Sequence, residues 1–241
     1  MSEDMYLSIS SYLWHEQPFL EHLETVVRNG FDALEIFATH KHLDLRNPDA
    51  VQEAGLALRK FSIRRVTLHA PKIGIDLSSP DPVQRDESVQ ACLRVLDAAT
   101  LLGGSLVTFH PSSVEAETDD DRTRWPALMV SLKQLARYAA ERDLFVGVEN
   151  HPRPLFCEDP VELSSRIAKL GMGNLGITLD LGHAYVNGQL PGCIRHLSVL
   201  CWRFRPATPP GIPTTISSPD MVRFPGKRRS RRCPMLISKA L

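Results

Sequence analysis

No run of apolar residues in this chain approaches the ~18 needed to span a membrane as a helix. The opening residues, MSEDMYLSIS, lack the basic cluster of a secretory leader and carry acids in its place. Together these absences lead us to expect a cytoplasmic protein with no membrane partner. Cysteine is scarce and unpatterned. Cys92, Cys157, Cys193, Cys201 and Cys233 form no C-x-x-C pair and are odd in number, so free thiols are expected rather than a disulfide framework. The formal net charge is also zero, but that total conceals a division. Residues 201–241 hold nine Lys or Arg against a single acid, Asp220, which makes them +8 and leaves residues 1–200 at −8. An acidic body is poorly equipped to grip a polyanion, so nucleic acid is not the expected partner.

What is present is ordinary for a globular chain: 43% hydrophobic and 23% charged residues over a length of 241. That length suits one large α/β barrel or two small domains. Strand and helix signals alternate from the start. Residues 5–10 (MYLSIS) read as a strand, and 18–29 as a helix with Phe19, Leu20, Leu23, Val26 and Val27 on one face between Pro18 and Gly30. FDALEIF (31–37) is a second strand, and Asn47 caps a helix running to Lys60 with Pro48 at its first position.

RRVTLHAP (64–71) is a third strand, ending in His69. The helix from Pro82 to Leu102 shows Val83, Val89, Cys92, Leu93, Leu96 and Ala99 as its buried face. SLVTFHP (105–111) repeats the previous strand's ending with His110, and an acidic loop, Glu115 to Asp121, precedes a helix from Trp125 to Arg142. LFVGVENHP (144–152) ends in Glu149, Asn150 and His151; a helix covers Pro160 to Leu170; and LGITLDLGH carries Asp180 and His183. Such alternation implies a parallel sheet, doubly wound or closed as a barrel. The first β-to-α turn, SSYLWHEQP, lacks G-x-G-x-x-G, which argues against the dinucleotide-binding version and favours the barrel.

In a barrel the C-terminal strand ends converge on one mouth. His69, His110, Glu149, Asp180 and His183 therefore become neighbours despite lying far apart in sequence, forming a ring of two carboxylates and three imidazoles. Nitrogen and oxygen donors without thiolate suit Mn²⁺, Zn²⁺, Co²⁺, Fe²⁺ or Mg²⁺. Such an ion could polarise a substrate carbonyl and its adjacent hydroxyl, or activate water against a phosphodiester. Glu149 can serve as both ligand and carbon-acid base. Glu35, ending the second strand, is a weaker candidate for orienting substrate, with a salt-bridge role equally compatible. His15, His40, His42 and His151 lie in loops on the same side with uninformative spacing, and His22 and His196 read as surface residues of helices.

The stretches LHAPKIGIDLSSPD, TFHP, VENHP and TLDLGHA resemble the xylose isomerase-like TIM-barrel superfamily over residues 5 to about 198. That superfamily contains sugar isomerases and epimerases alongside type IV apurinic endonucleases. The resemblance implies a (β/α)₈ barrel and a divalent metal held by Glu149, Asp180 and histidines. It further implies that His183 contacts substrate or metal and that Glu149 transfers a proton on a sugar or sugar phosphate. HAP…LSSPD with FHP is similar to the endonuclease branch, in which the matching histidines bind part of a zinc cluster; VENHP and DLGHA are closer to the isomerase branch. An oligomer stays open.

The pattern breaks after residue 200. Family members continue with a seventh strand ending in histidine and an eighth ending in glutamate, yet this chain has no histidine after His196 and no glutamate after Glu162. Residues 201–241 carry seven prolines and no sustained period. The expectation is therefore an incomplete barrel of about six β/α units in residues 1–200, and an irregular Pro/Arg-rich tail in 201–241 that represents a frameshifted or replaced last quarter. Translating the other two frames of the coding DNA decides this: no strand with a His-rich end in either frame would sink it. The alternative is a genuine basic tail whose GKRRSRR run addresses a compartment or nucleic acid. An inactive remnant that keeps the mouth without its closing ligands is the non-catalytic alternative.

Overall fold

Apolar and small or polar residues alternate along the central strands, and this alternation builds the molecule. The structure, a computed structural model, describes residues 6–113, 121–197, 201–205 and 236–239. Six β/α units follow one another: β1 (Tyr6–Ser10) and α1 (Leu23–Arg28); β2 (Ala33–Phe37) and α2 (Pro48–Lys60); β3 (Arg65–His69) and α3 (Pro82–Leu101); β4 (Gly104–Phe109) and α4 (Asp121–Ala140); β5 (Phe145–Glu149) and α5 (Pro160–Ala168); β6 (Leu175–Asp180) and α6 (Leu181–Val186), with α7 (Leu190–Leu197) after it. All pairings are parallel and each strand pairs with the next.

On each of β2 to β6 one set of residues packs outward against the helices. Leu34 and Ile36, Val66 and Leu68, Val107 and Phe109, Val146 and Val148, and Ile177 and Leu179 are all buried in one core. Burying each such side chain stabilises the fold by roughly 1.5–3 kcal/mol. The intervening set points into the barrel. Thr108 Oγ1 and Thr178 Oγ1 lie 3.1 Å apart although β5 separates their strands, so both cross the interior above Gly147.

Local expectations are met at the start of α2 and corrected in α1 and α3. Asn47 accepts hydrogen bonds from the Asp49 and Ala50 amides, with Pro48 at the first position of α2. The first helix is shorter than its pattern, because Phe19–His22 forms a 3₁₀ turn after Pro18 and the α-helix begins only at Leu23. Val83 is exposed rather than part of the buried face of α3, since it lies in the first turn, before the helix reaches the sheet. Of the acidic loop expected over Glu115 to Asp121, residues 115–120 lie outside the described residues, and Asp121 is the first residue of α4, which begins ahead of the expected Trp125.

The tail departs from its expected irregularity in one respect. Cys201–Arg205 (β7) pairs parallel with β6, and Leu236–Lys239 (β8) pairs with both β7 and β1, which closes the ring. The physical reason is that the edges of β1 and β6 offer rows of backbone donors and acceptors, and four or five extended residues suffice to meet them whatever their side chains. Residues 206–235, with the GKRRSRR run, lie outside the described residues.

Candidate metal centre at the barrel mouth

Period-two geometry carries the inward set one step further up each strand. Two residues beyond Glu35, Thr67, Thr108, Gly147 and Thr178 come Phe37, His69, His110, Glu149 and Asp180. The second group is the mouth layer; the first lies one layer deeper. Glu35 thus belongs to the deeper layer and is fully buried beside Thr67, and Phe37 is the residue that ends β2 at the mouth.

His69 is fully buried. Its ring stacks on Phe37, with centroids 4.1 Å apart and planes inclined by 10°. Nδ1 lies 2.8 Å from the Ala70 carbonyl, which can only accept, so Nδ1 bears the proton. Nε2 then directs a lone pair at Glu149 Oε2, 2.8 Å away and equally buried. Two acceptors at that distance in a dry site need a positive centre between or beside them, either a proton or a metal ion. A histidine whose second nitrogen is committed to a carbonyl is the arrangement in which imidazole serves as a metal ligand. His69, His110 and Glu149 each place one donor atom within 4.8 Å of the others.

His110 follows β4 and sits between two imidazoles, 4.9 Å from the His69 ring and 4.7 Å from the His151 ring. Its Nδ1 is 2.6 Å from His151 Nε2, and His151 Nδ1 is 3.0 Å from the Phe156 carbonyl. Burial pushes the His110 imidazole well below its usual range, with Glu149 opposing, and pushes His151 down to about 4. Both rings are therefore neutral near pH 7.

Asp180 and His183 form a second group with Glu149, again within 4.8 Å. Asp180 caps α6 by accepting the His183 amide at 2.8 Å. His183 Nδ1 lies 3.8 Å from Asp180 Oδ1 and 3.9 Å from Glu149 Oε1, but it donates to the Asn150 carbonyl at 2.9 Å. While that bond stands, Nδ1 is a donor and Nε2 keeps the lone pair. His183 is also the more exposed histidine, at the rim rather than inside. The two groups share Glu149 and differ in readiness: the His69 side is buried with its tautomer set, and on the other side His183 is only half-buried.

Asn150 and His151, which the strand ending announces but does not explain, tie these parts together. Asn150 Oδ1 accepts the Asp180 amide at 2.8 Å, and its Nδ2 donates to the Asp180 carbonyl at 3.2 Å, joining the ends of β5 and β6. The remaining loop histidines stay apart from both groups. His42 is buried against the Gln17 carbonyl, His15 stacks on Tyr12, and His22 stacks on Trp14 and bonds Gln17. His40 is exposed. The side chain of His196 lies outside the described residues.

Fold and mouth together define a parallel barrel whose strand ends gather two groups of candidate metal-ligating residues. Residues 23–200 match the sequence model of the xylose isomerase-like TIM barrel, and the chain belongs to that family. Two uncharacterised proteins of Methanocaldococcus jannaschii are similar: MJ1311 is 25% identical over 77% of this chain and 64% of its own length, and MJ1614 is 26% identical over 70% and 67%. This chain thus spans a little under two thirds of the first relative. Among solved structures, a D-psicose 3-epimerase determined in the presence of D-fructose superposes with a TM-score of 0.75 at 18% identity, covering 97% of this chain and 84% of its own. A D-tagatose 3-epimerase-like protein gives 0.73 at 21%, over 84% and 76%. An AP endonuclease, family 2, from Brucella melitensis gives 0.67 at 18%, over 84% and 79%. At these identities the likeness is one of fold. Among the described residues no helix is long and apolar enough to cross a membrane.

Proposed function

We propose that this protein is a divalent-metal-dependent isomerase or epimerase of a sugar or sugar phosphate, working by proton transfer next to a carbonyl. The observation that carries the reading is the buried contact of His69 Nε2 with Glu149 Oε2 at 2.8 Å, which requires a positive centre and has the His69 tautomer set to accept one. The donor set of imidazole nitrogen and carboxylate oxygen fits Mn²⁺, Zn²⁺, Co²⁺, Mg²⁺ or Fe²⁺. Glu149, Asp180, His69, His110 and His183 are the residues that would hold it. When bound, such an ion supplies Lewis acidity to adjacent oxygens of a sugar.

Glu149 is the proposed base. Its carboxylate is fully buried at the mouth, where it removes a proton from the carbon beside the substrate carbonyl. Returning that proton to the neighbouring carbon, while the hydroxyl proton passes to the former carbonyl oxygen, gives isomerisation, and delivery of a proton to the opposite face of the same carbon by a second acid gives epimerisation. The electron pair of the broken C–H bond shifts toward the carbonyl and comes back as the new C–H bond forms. His183, at the rim, presents Nε2 to a substrate hydroxyl, and Phe37 offers an apolar wall. Glu35 supports the layer beneath; direct sugar contact there would require the substrate to pass Phe37. The acidic main body and the fold likeness to epimerases support a small-molecule substrate.

The reading is tested by incubating the Mn²⁺-loaded protein with D-fructose, D-psicose or their phosphates in deuterium oxide and following C–H exchange by mass spectrometry. Exchange is expected, and Glu149→Gln should slow it by about 10²–10⁴-fold. Exchange persisting unchanged in the variant removes Glu149 as base. A second reading, zinc phosphodiesterase at abasic DNA, is favoured by one observation, the His69–His110 pair beside a second group that shares Glu149. Binding of more than one zinc per chain together with nicking of an abasic duplex, lost in His69→Ala and in His110→Ala, would establish it in place of the first.

A further inference from the structure

His151 follows the mouth layer by two residues and belongs to neither group of metal donors, yet it is fully buried and in contact with His110. We propose that His151 is a positioning residue that fixes the tautomer of His110, so that His110 offers Nε2 as its lone-pair nitrogen to the centre formed with His69 and Glu149. This rests on the metal-centre reading above and concerns how that centre is prepared.

The argument is one of donors and acceptors. The Phe156 carbonyl can only accept, so His151 Nδ1, 3.0 Å from it, carries a hydrogen. A neutral His151 therefore has its lone pair on Nε2, which faces His110 Nδ1 at 2.6 Å, and His110 must donate there. With its proton on Nδ1, neutral His110 keeps the lone pair on Nε2. Reversing any step sets two donors or two acceptors against each other in a site that excludes water, which costs about 1–3 kcal/mol.

The start of the relay is held firmly. Phe156 is buried and packs on Trp125 with centroids 4.8 Å apart. The His151 amide donates to the Cys157 carbonyl at 3.2 Å, and Asn187 Nδ2 donates to the His151 carbonyl at 2.9 Å and to the Glu158 carbonyl at 3.2 Å. The loop from His151 to Glu158 is thereby clamped from α6, and its geometry rather than the mouth decides where the His151 ring points. His69 reaches the same state by a shorter route, through the adjacent Ala70 carbonyl.

The test combines imidazole nitrogen NMR of the metal-free protein with calorimetric titration of MnCl₂ and ZnCl₂. Wild-type His110 is expected as the Nδ1–H tautomer. His151→Phe keeps an aromatic ring and removes the acceptor; it should lose that tautomer preference and weaken metal binding by about 10–100-fold. His151→Gln, whose amide oxygen can accept from His110 Nδ1, should restore both to near the wild-type values. A wild-type His110 protonated on Nε2 overturns the proposal without any variant, and so does an unchanged tautomer or unchanged affinity in folded His151→Phe. If the wild-type protein binds neither ion, the metal-centre reading fails, while a tautomer switch in His151→Phe would still uphold the relay.

Discussion

Gly147 has no room for a side chain: a Cβ there would lie 2.3 Å from Thr178 Oγ1. That oxygen is engaged with Thr108 across the barrel, so it does not move aside freely. Gly147→Ala is expected to destabilise the protein by about 1–3 kcal/mol, read as a fall in denaturant midpoint, and adding Thr178→Ala should recover most of the loss. Equal destabilisation in single and double variants would show that the strain lies elsewhere. At this scale the sequence was partly legible. His69, His110, Glu149 and Asp180 announced themselves by ending strands, as polar residues where an apolar run stops. Glu35 did not fit that rule, because strand β2 runs two residues beyond it to Phe37. His151 stood beside Glu149 in plain view, but one more histidine in a histidine-rich mouth carries no signal. Its importance comes from a carbonyl five residues away, and only folding brings that carbonyl to its ring.

The elements were legible because each carries its own punctuation. Asp159 caps α5 through hydrogen bonds from the Val161 and Glu162 amides at 2.8 and 3.2 Å, with Pro160 at the first helical position. Asp159→Ala should cost about 0.5–2 kcal/mol, lowering the melting midpoint by about 2–4 °C per kcal/mol, while Asp159→Asn should stay close to the parent; an alanine variant as stable as the parent would mean the cap contributes nothing here. The strands repeat one four-residue phrase: Val66-Thr67-Leu68-His69, Val107-Thr108-Phe109-His110, Val146-Gly147-Val148-Glu149 and Ile177-Thr178-Leu179-Asp180. Each phrase reads outward, inward, outward, mouth. That recurrence is a sequence signal for the depth of each residue, not only for the existence of a strand. It fails in the tail, where β7 and β8 are four or five residues each and the ring supplies their pairing partners.

Across the whole molecule, His42, His110 and His151 are held below the usual imidazole range, chiefly by burial, with His151 at about 4. In the unfolded chain each takes up a proton near pH ~6.5. Between that value and about pH 4 the unfolded state binds protons that the folded state does not, so stability falls as pH falls through this window and is level above it. Urea midpoints of the metal-free protein should decline from pH 6.5 to 4; a midpoint constant over that range would contradict neutral burial of these rings. Divalent metal, if it selects the folded state, should raise the midpoint at pH 7 in proportion to its affinity.

The sequence by itself determined the alternation of strands and helices, the caps that bound them and the identity of the residues at the strand ends, because these depend on periods of two and 3.6 and on chemistry within a few positions. Tertiary structure decided what those residues do together. It set Glu35 a layer below the mouth, divided the donors into a fully buried His69 side and a half-buried His183 side, and connected His110 through His151 to the Phe156 carbonyl. The reason is that tautomer, burial and donor distance are properties of pairs. The pairs here, 80 residues apart for His69 and Glu149 and 41 for His110 and His151, exist only once the barrel is formed.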